Sequence, residues 1–481
     1  MSNANEAVNP ITAQGVARRH ESDSDEQRVN QRLAFLFLFL FTLLLYLRPQ
    51  EMFPEVFGTF PLVKVVAIVA MLSYLAAKLA KGEQLTILPL ELKMIGVIAL
   101  LGVIFTPLAE DTQGSLDMLL DLFIKVIIIF VLMINLITTR KRLRSMMSLI
   151  VVCGAILAFL AVKSYLIGEF VTIEKKNVGV VGLRIVGAVG GIFGNPNDLA
   201  ISFDLLLPLA VALALTSSGL KRVVYFACAL LFAAGVVVTF SRGGFLGLVA
   251  MVGVLLWKIS HQNRALMTMA FIVMFGVFVF AMPSGYTGRI SSIFNIGEDP
   301  TGSAETRRDM LERAAIVAAH HPIIGIGMGN FHIYSIHEHV AHNSYLEIAA
   351  ELGLAGLAAY LVLVFSPFRS LRRIERETRG QRAKSRVGPT RSRERETYIL
   401  SVALQASLVA YVVCSFFGSI QYHWFLYYPL AYAVALRRIH AEEAPVATSA
   451  EATTATSAER GVLWRRYQKR VPQPLASDVK G

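Results

Sequence analysis

Charge is what this sequence has least of. Asp, Glu, Lys and Arg together make up 17% of its 481 residues, against roughly 25% in a soluble globular protein. That shortage excludes a string of ordinary water-soluble domains. Cysteine is nearly absent. Cys153, Cys228 and Cys414 fall inside apolar runs, too far apart for a CxxC-type site. Each reads as a small, buried, apolar-like side chain that carries no information about redox compartment. No HExxH spacing is present. Basic stripes interleaved with aromatics are missing too, so the formal charge of +12 does not point to nucleic acid. The first thirty residues lack the short basic start of a secretory signal. The apolar run that follows Arg32 is therefore expected to be an uncleaved signal anchor.

What the sequence does have is apolar length. Hydrophobic residues are 55% of the chain and the mean hydropathy is +0.56. Runs long enough to span a bilayer fall at 33–48, 61–80, 92–109, 118–137, 146–167, 198–216, 221–240, 243–258, 264–283, 343–366, 398–417 and 420–437. At ~20 residues per crossing these make about twelve spans. They must be helices, since backbone polar groups in hydrocarbon have to pair within their own segment. The expected fold is an all-α polytopic membrane protein: a segment 1–32, a transmembrane domain 33–437 and a disordered tail 438–481. The cations test the count. With the N-terminus in the cytoplasm, the inner gaps hold Lys78 and Lys81, Arg140, Lys141, Arg142 and Arg144, Lys221 and Arg222, Lys258 and Arg264, and the basic stretch 369–395. The outer gaps hold Glu51, Glu55, Glu110, Asp111 and Asp117. This is the positive-inside pattern. An odd number of spans would break it, so both termini are expected inside.

Two outer loops stand out by length, 168–197 and 284–342. Loops of this size in a compact protein are usually functional or disordered. In the second, Met310, Leu311, Ala314, Ala315 and Ala318 recur at helical spacing, which predicts short helices. Gly325, Gly327 and Gly329 then break the pattern and allow a tight turn.

Four clusters put chemistry near the outer face. Arg242, in Ser241-Arg242-Gly243-Gly244, stands between two apolar runs, where a cation is expensive unless it snorkels or binds an anion; a tight inter-helix turn is the plain alternative. Arg307, Arg308 and Arg313 begin the predicted loop helix. A guanidinium grips phosphate oxygens in bidentate fashion, although pairing with Asp309 and Glu312 on a solvated face would also explain them. His332, His337, His339 and His342 lead into Asn343, where the chain re-enters the membrane. His342 could act as a base, while Asn343 could simply cap the helix. The pair His337 and His339 could chelate, but too few carboxylates lie nearby to favour a metal site. Last, Asn195, Pro196 and Asn197 enter the sixth span with Asp204 one to two turns further on. Turn chemistry accounts for the asparagines. Asp204 is an intramembrane carboxylate with Lys125 or Lys163 as candidate partners. Fixed positive charge beside a possible base suits a phosphate-bearing lipid substrate.

The same residues resemble a signature of the O-antigen ligase/polymerase superfamily. It comprises Gly191-Ile192-Phe193-Gly194-Asn195-Pro196-Asn197, then Thr239-Phe240-Ser241-Arg242-Gly243-Gly244. Arg307 follows, with His321-Pro322 and Gly325-Ile326-Gly327-Met328-Gly329-Asn330-Phe331 after it. His342-Asn343-Ser344-Tyr345-Leu346-Glu347 and Glu351-Leu352-Gly353-Leu354-Ala355-Gly356 complete it. The resemblance is specific over about 190–360, and Leu47-Arg48-Pro49-Gln50-Glu51 is similar to members linked to exopolysaccharide or protein glycosylation. One departure is Leu311, where an aromatic residue is common.

The resemblance implies a glycosyltransferase of the bacterial inner membrane. It would move a glycan from undecaprenyl diphosphate to an acceptor hydroxyl on the periplasmic face. The acceptor is lipid A–core in ligases, a growing glycan in polymerases, and a protein Ser/Thr in O-oligosaccharyltransferases. Implied roles are diphosphate-binding cations for Arg242 and Arg307, and base or acceptor-orienting group for His342. Arg308, Asn343, Asn195 and Asn197 are expected to bind substrate. No metal or cofactor is expected, because a diphosphate leaves without acid help and needs only preorganised cations. A secondary transporter is the competing class, but no inverted repeat is visible.

Overall fold

The computed structural model describes residues 31–49, 55, 62–80, 82–169, 171–175, 179–184, 194–259, 303–335, 339–384 and 389–454. Their helices are α1 (Gln31–Leu47), α2 (Leu62–Leu79), α3 (Leu90–Phe105), α4 (Thr112–Leu136), α5 (Arg140–Ile167), α6 (Pro196–Leu215), α7 (Gly219–Val238), α8 (Arg242–Ile259), α9 (Ser303–His320), α10 (Phe331–Tyr334), α11 (Ser344–Lys384), α12 (Pro389–Cys414) and α13 (Tyr427–Thr454). Among the described residues nine helices are long and apolar enough to cross a membrane, and α1 is a shorter apolar helix. The expected span at 264–283 lies outside the described residues. A two-strand antiparallel hairpin, β1 (Val171–Lys175) with β2 (Gly179–Arg184), occupies the first long loop. The rest of the described residues form helices and the turns that join them.

Local chemistry sets the helix ends. Thr139 caps α5, its hydroxyl accepting from the Arg142 N–H at 3.3 Å. Gly168 stops the helix in the left-handed region (φ 77°). Asn195 caps α6, with Pro196 at the first helical position. α13 continues to Thr454 instead of ending near 437, so the first part of the expected disordered tail is helical. Good helix formers such as Ala441, Glu442, Glu443 and Ala444 carry the helix past the apolar run, and Arg140 fastens it through a two-pronged contact with Glu443 (2.8 and 2.5 Å).

α6 and α12 form the centre, each with 83% of its spanning window buried inside the protein; only 22% of α2 is buried. At one end of the bundle the basic gaps are tied by ion pairs. Arg144 meets Glu396 at 2.6 Å and Lys258 meets Glu375 at 2.5 Å. Arg437 grips Glu91 with two bonds of 3.0 Å. The opposite end carries α9 and α10, and is called the loop end below.

Candidate functional site

Three long helices begin at the loop end around one short turn. At α8, Ser241 is the capping residue, its Oγ accepting from the Gly244 N–H at 3.2 Å. The same Oγ donates to Asn197 Oδ1 at 2.9 Å, which ties the start of α8 to the start of α6. Phe240, at φ 54°, makes the sharp corner between α7 and α8. Gly243 and Gly244 are required by contact: a Cβ on Gly243 would come 2.8 Å from Phe417 Cβ, and one on Gly244 would come 2.6 Å from Ala200 Cβ. Cys414 Sγ–H also reaches the Gly243 carbonyl at 3.5 Å. The start of α8 is thus wedged against the turn that follows α12.

The start of α11 uses that turn as well. Asn343 Oδ1 accepts from the N–H groups of Tyr345 and Leu346, both at 3.0 Å, and its Nδ2 donates to the Phe416 carbonyl at 3.4 Å. Ser344 N–H donates to the Ser415 carbonyl and its hydroxyl to the Gly418 carbonyl. His342 sits in the left-handed region at φ 52°, unusual for a residue with a Cβ. Its N–H donates to Ser419 Oγ at 3.0 Å.

Buried carboxylates hold this strained corner. Glu347 accepts from the Ala341 N–H at 2.9 Å, from Gln421 Nε2 at 2.9 Å and from the Ser419 hydroxyl. Glu351, one turn on, accepts from the Tyr422 hydroxyl at 2.9 Å and the Phe331 N–H at 3.4 Å. Both are nearly inaccessible, and such groups persist at depth only when hydrogen-bonded. Both glutamates fall within the sequence signature, which by itself assigns them no role. Their i, i+4 spacing inside an apolar run was the available signal. Ser419, Gln421 and Tyr422 carried none, because their partners are more than seventy residues away.

Gly353 breaks α11 with φ 66° and ψ −172°. The backbone groups released there pair with the glycine turn: Ile326 N–H to the Ala350 carbonyl, Gly327 N–H to the Glu351 carbonyl, and Leu354 N–H to the Pro322 carbonyl. The two backbones approach so closely that a Cβ on Gly325 would lie 2.4 Å from the Glu351 oxygen. Asn330 closes the corner, donating to Ser115 Oγ at 2.7 Å and accepting from the Asp111 N–H at 2.8 Å.

α9 lies over this corner. Ala314 and Val317 pack with Ala341 and Ala350, and Met310 is buried one turn earlier. Arg307 extends the same face by a further turn and is half-buried, whereas Arg308 is exposed. The structure therefore brings the elements bearing Arg242, Arg307 and His342 together at the loop end. Arg308 is turned away from the packed face. Asn343 and Asn195 spend their side-chain oxygens on capping, and Asn197 joins α6 to α8. Burial, and after it the hydrogen bond and charge of Glu110, push the Tyr334 phenol, beside α9, above its ordinary pKa.

One expectation needs revision. Lys125 bonds Asp121 at 2.6 Å and Lys163 is exposed, so neither partners Asp204. Asp204 is fully buried instead beside Cys414, whose thiol lies 3.6 Å from Oδ2. Gly247 makes room for it, since a Cβ there would come 2.8 Å from that oxygen. His337 lies outside the described residues. Among those described, no three His, Cys, Asp or Glu side chains converge as a metal site.

Three helix N-termini around one turn, each the positive end of its dipole, define a polytopic membrane protein with an anion-favouring corner at one end of its bundle. Residues 227–361, which contain the starts of α8 and α11 but neither the start of α6 nor the 414–420 turn, match the family described as O-antigen ligase. Over those residues the chain is similar to a family of membrane glycan ligases and polymerases. A chain of a solved structure described as "Structural coordination of polymerization and crosslinking by a peptidoglycan synthase complex" is similar at 17% identity and a TM-score of 0.37, over 72% of this chain and 96% of that one. A likeness of that size carries no argument. No protein of curated function matches.

Proposed function

We propose that the protein is an inner-membrane glycosyltransferase. It moves a glycan from undecaprenyl diphosphate to an acceptor hydroxyl, lipid A–core or a related one, on the periplasmic face, with the loop end in the periplasm. The convergence of the α6, α8 and α11 N-termini on the 414–420 turn carries this reading. The helix dipoles favour an anion there, and Arg242, as the first residue of α8, adds a full charge to one of them. Arg307 supplies a second guanidinium from α9. Charge developing on the departing diphosphate meets donors already in place, which is where such stabilisation is largest.

His342 receives the proton of the acceptor hydroxyl. The Glu347–Ser419 contact and the Ser419 bond to the His342 N–H hold its backbone in a conformation it would not otherwise adopt. Glu347 and Ser419 are positioning residues in this scheme. Attack from the side opposite the diphosphate inverts the anomeric centre, and an NMR assignment of a retained linkage would remove that step.

The test is transfer from purified lipid-linked glycan. Arg242→Ala and Arg307→Ala should each lower the rate by ~10²–10³, and His342→Ala by ~10²–10⁴. EDTA should leave the rate unchanged; strong inhibition would demand a metal. Wild-type rates in all three variants would overturn the reading. A polymerase or a protein O-oligosaccharyltransferase uses the same donor corner. A knockout that still makes polymer but attaches none favours the ligase, and attachment of single units favours the polymerase.

A further inference from the structure

A second pocket lies at the end of the bundle opposite the loop end. α5, α7 and α12 all begin there, beside the last turn of α6. The space between them is about 490 Å³, within the roughly 300–1,000 Å³ of small-molecule sites. Among the described residues that line it, Leu215 alone is apolar.

Charge in this pocket does not balance. Arg144 is already paired. One of its nitrogens bonds Glu396 at 2.6 Å and Thr216 Oγ1 at 3.0 Å, and another bonds Ser217 Oγ at 3.2 Å. Lys221, Arg222 and Arg395 also line the space, and none of them has an ion-pair or hydrogen-bond partner among the described residues. Glu396, held by Arg144, is the one carboxylate among the described lining residues.

The helix ends add to the excess. A helix N-terminus favours an acid in its first turn and disfavours a cation. The first turns of α5, α7 and α12 contain no acid, and that of α7 carries Lys221 and Arg222. Ser218, at the cap position of α7, makes no cap bond, so its hydroxyl leaves the first N–H groups of the helix without that acceptor. Three positive helix ends and three unpaired cations therefore gather at one space, and a bound anion offsets both.

The adjoining surface selects the kind of anion. α7 runs from the pocket into the bilayer with Leu220, Val223 and Leu230 78%, 63% and 71% exposed. Leu220 precedes Lys221, so lipid-facing surface begins at the cations themselves. The apolar span of α12 likewise begins at Ser392, a lining residue. The pocket thus sits where headgroups meet hydrocarbon, and basic pockets between helices at that level suit anionic headgroups. Its walls are tied together: the hydroxyls of Ser148 and Tyr225 meet at 2.8 Å and join α5 to α7 one turn further in.

We infer that this pocket binds the headgroup phosphate of an anionic phospholipid. Lys221, Arg222 and Arg395 hold the phosphate, Ser218 and Ser392 donate to its oxygens, and an acyl chain lies along Leu220, Val223 and Leu230. None of these residues belongs to the loop-end corner, so the inference does not depend on the transfer reaction.

The experiment is native mass spectrometry of the full chain in mild detergent, with phosphatidylglycerol, phosphatidylcholine and inorganic pyrophosphate titrated separately. Phosphatidylglycerol should be retained over phosphatidylcholine, and Lys221→Gln with Arg395→Gln should weaken its retention roughly tenfold or more. Arg372→Gln with Arg376→Gln removes two exposed cations from α11 at the same end of the bundle and should leave retention unchanged. Leu220→Ser, which keeps every charge, should lower it. Equal retention of the two phospholipids, or equal losses in the pocket and α11 variants, would overturn the inference. So would pyrophosphate that displaces phosphatidylglycerol at equal concentration, or full retention by Leu220→Ser, since either makes the pocket a site for a soluble anion.

Discussion

α6 and α2 are equally apolar, yet 83% of one and 22% of the other is buried inside the protein. Lipid tails and a protein interior both accept Leu, Ile, Val and Ala, so composition does not separate a central helix from a peripheral one. What separates them is what each can tolerate. α6 carries Asp204 and Ser202, fully covered, and meets α8 through Gly244 and Gly247 with no room for another atom. α2 shows Val65, Ile68, Leu72 and Leu79 to the outside. Chemistry collects where backbones touch closely, because polar groups can be satisfied there by fixed neighbours.

The largest effects should fall on one helix that belongs to both worlds. On α9, Arg307 lies on the packed face and Arg308 on the exposed one. Arg307→Ala should lower glycan transfer by ~10²–10³, and Arg308→Ala by less than about threefold. Equal losses, measured with purified donor lipid, would break the distinction between the two faces.

Positioning comes next. Glu347→Gln keeps the shape but turns an oxygen that accepts from Ala341 and Ser419 into a competing donor. Misplacing His342 by about 1 Å can lower turnover up to ~10²-fold, with substrate affinity little changed. Unchanged turnover at intact folding would show that the corner holds without Glu347.

Stability should follow the same contrast. Gly353→Ala forces a Cβ to within 2.7 Å of the Ile323 oxygen at positive φ, and should destabilise by about 1–3 kcal/mol. Leu72→Ala on α2 should change stability by no more than about 0.5 kcal/mol. Unfolding in detergent compares the two directly. A large loss at Leu72 would mean that α2 is covered by something more than lipid tails.

The smallest expected effect is a pH dependence far from the site. The hydrogen bond from Arg140, aided by the charges of Arg140, Arg393 and His440, holds the Glu443 carboxyl below its ordinary value. A depressed folded value contributes stability above the unfolded value of roughly 4.3, and that stability disappears as pH falls through the folded one. Hydrogen exchange near Glu443 should therefore accelerate below about pH 4, relative to α12, and Arg140→Gln should abolish the difference.

How much of this was legible beforehand differs residue by residue. The break between α7 and α8 was readable, because Arg242, Gly243 and Gly244 interrupt an apolar run. The α9 helix was readable from the spacing of Met310, Ala314 and Ala318. The resemblance named His342 and Arg307, but it offered no reason why Glu347, Ser419 and Gln421 should surround the histidine's backbone. Asp204 looked like one half of an ion pair and proved to sit against a thiol.

Sequence by itself determined that this chain is a bundle of membrane helices, since long apolar runs have only one way to satisfy their backbone in hydrocarbon. It also determined where helices start, since caps such as Asn195, Ser241 and Asn343 act within a few residues of themselves. Only the tertiary structure decided that three of those starts share a single turn, that α9 packs with Arg307 half-buried and Arg308 exposed, and that a basic pocket opens between α5, α7 and α12. Those outcomes depend on contacts between segments hundreds of residues apart, and no local pattern encodes which helix will be the neighbour.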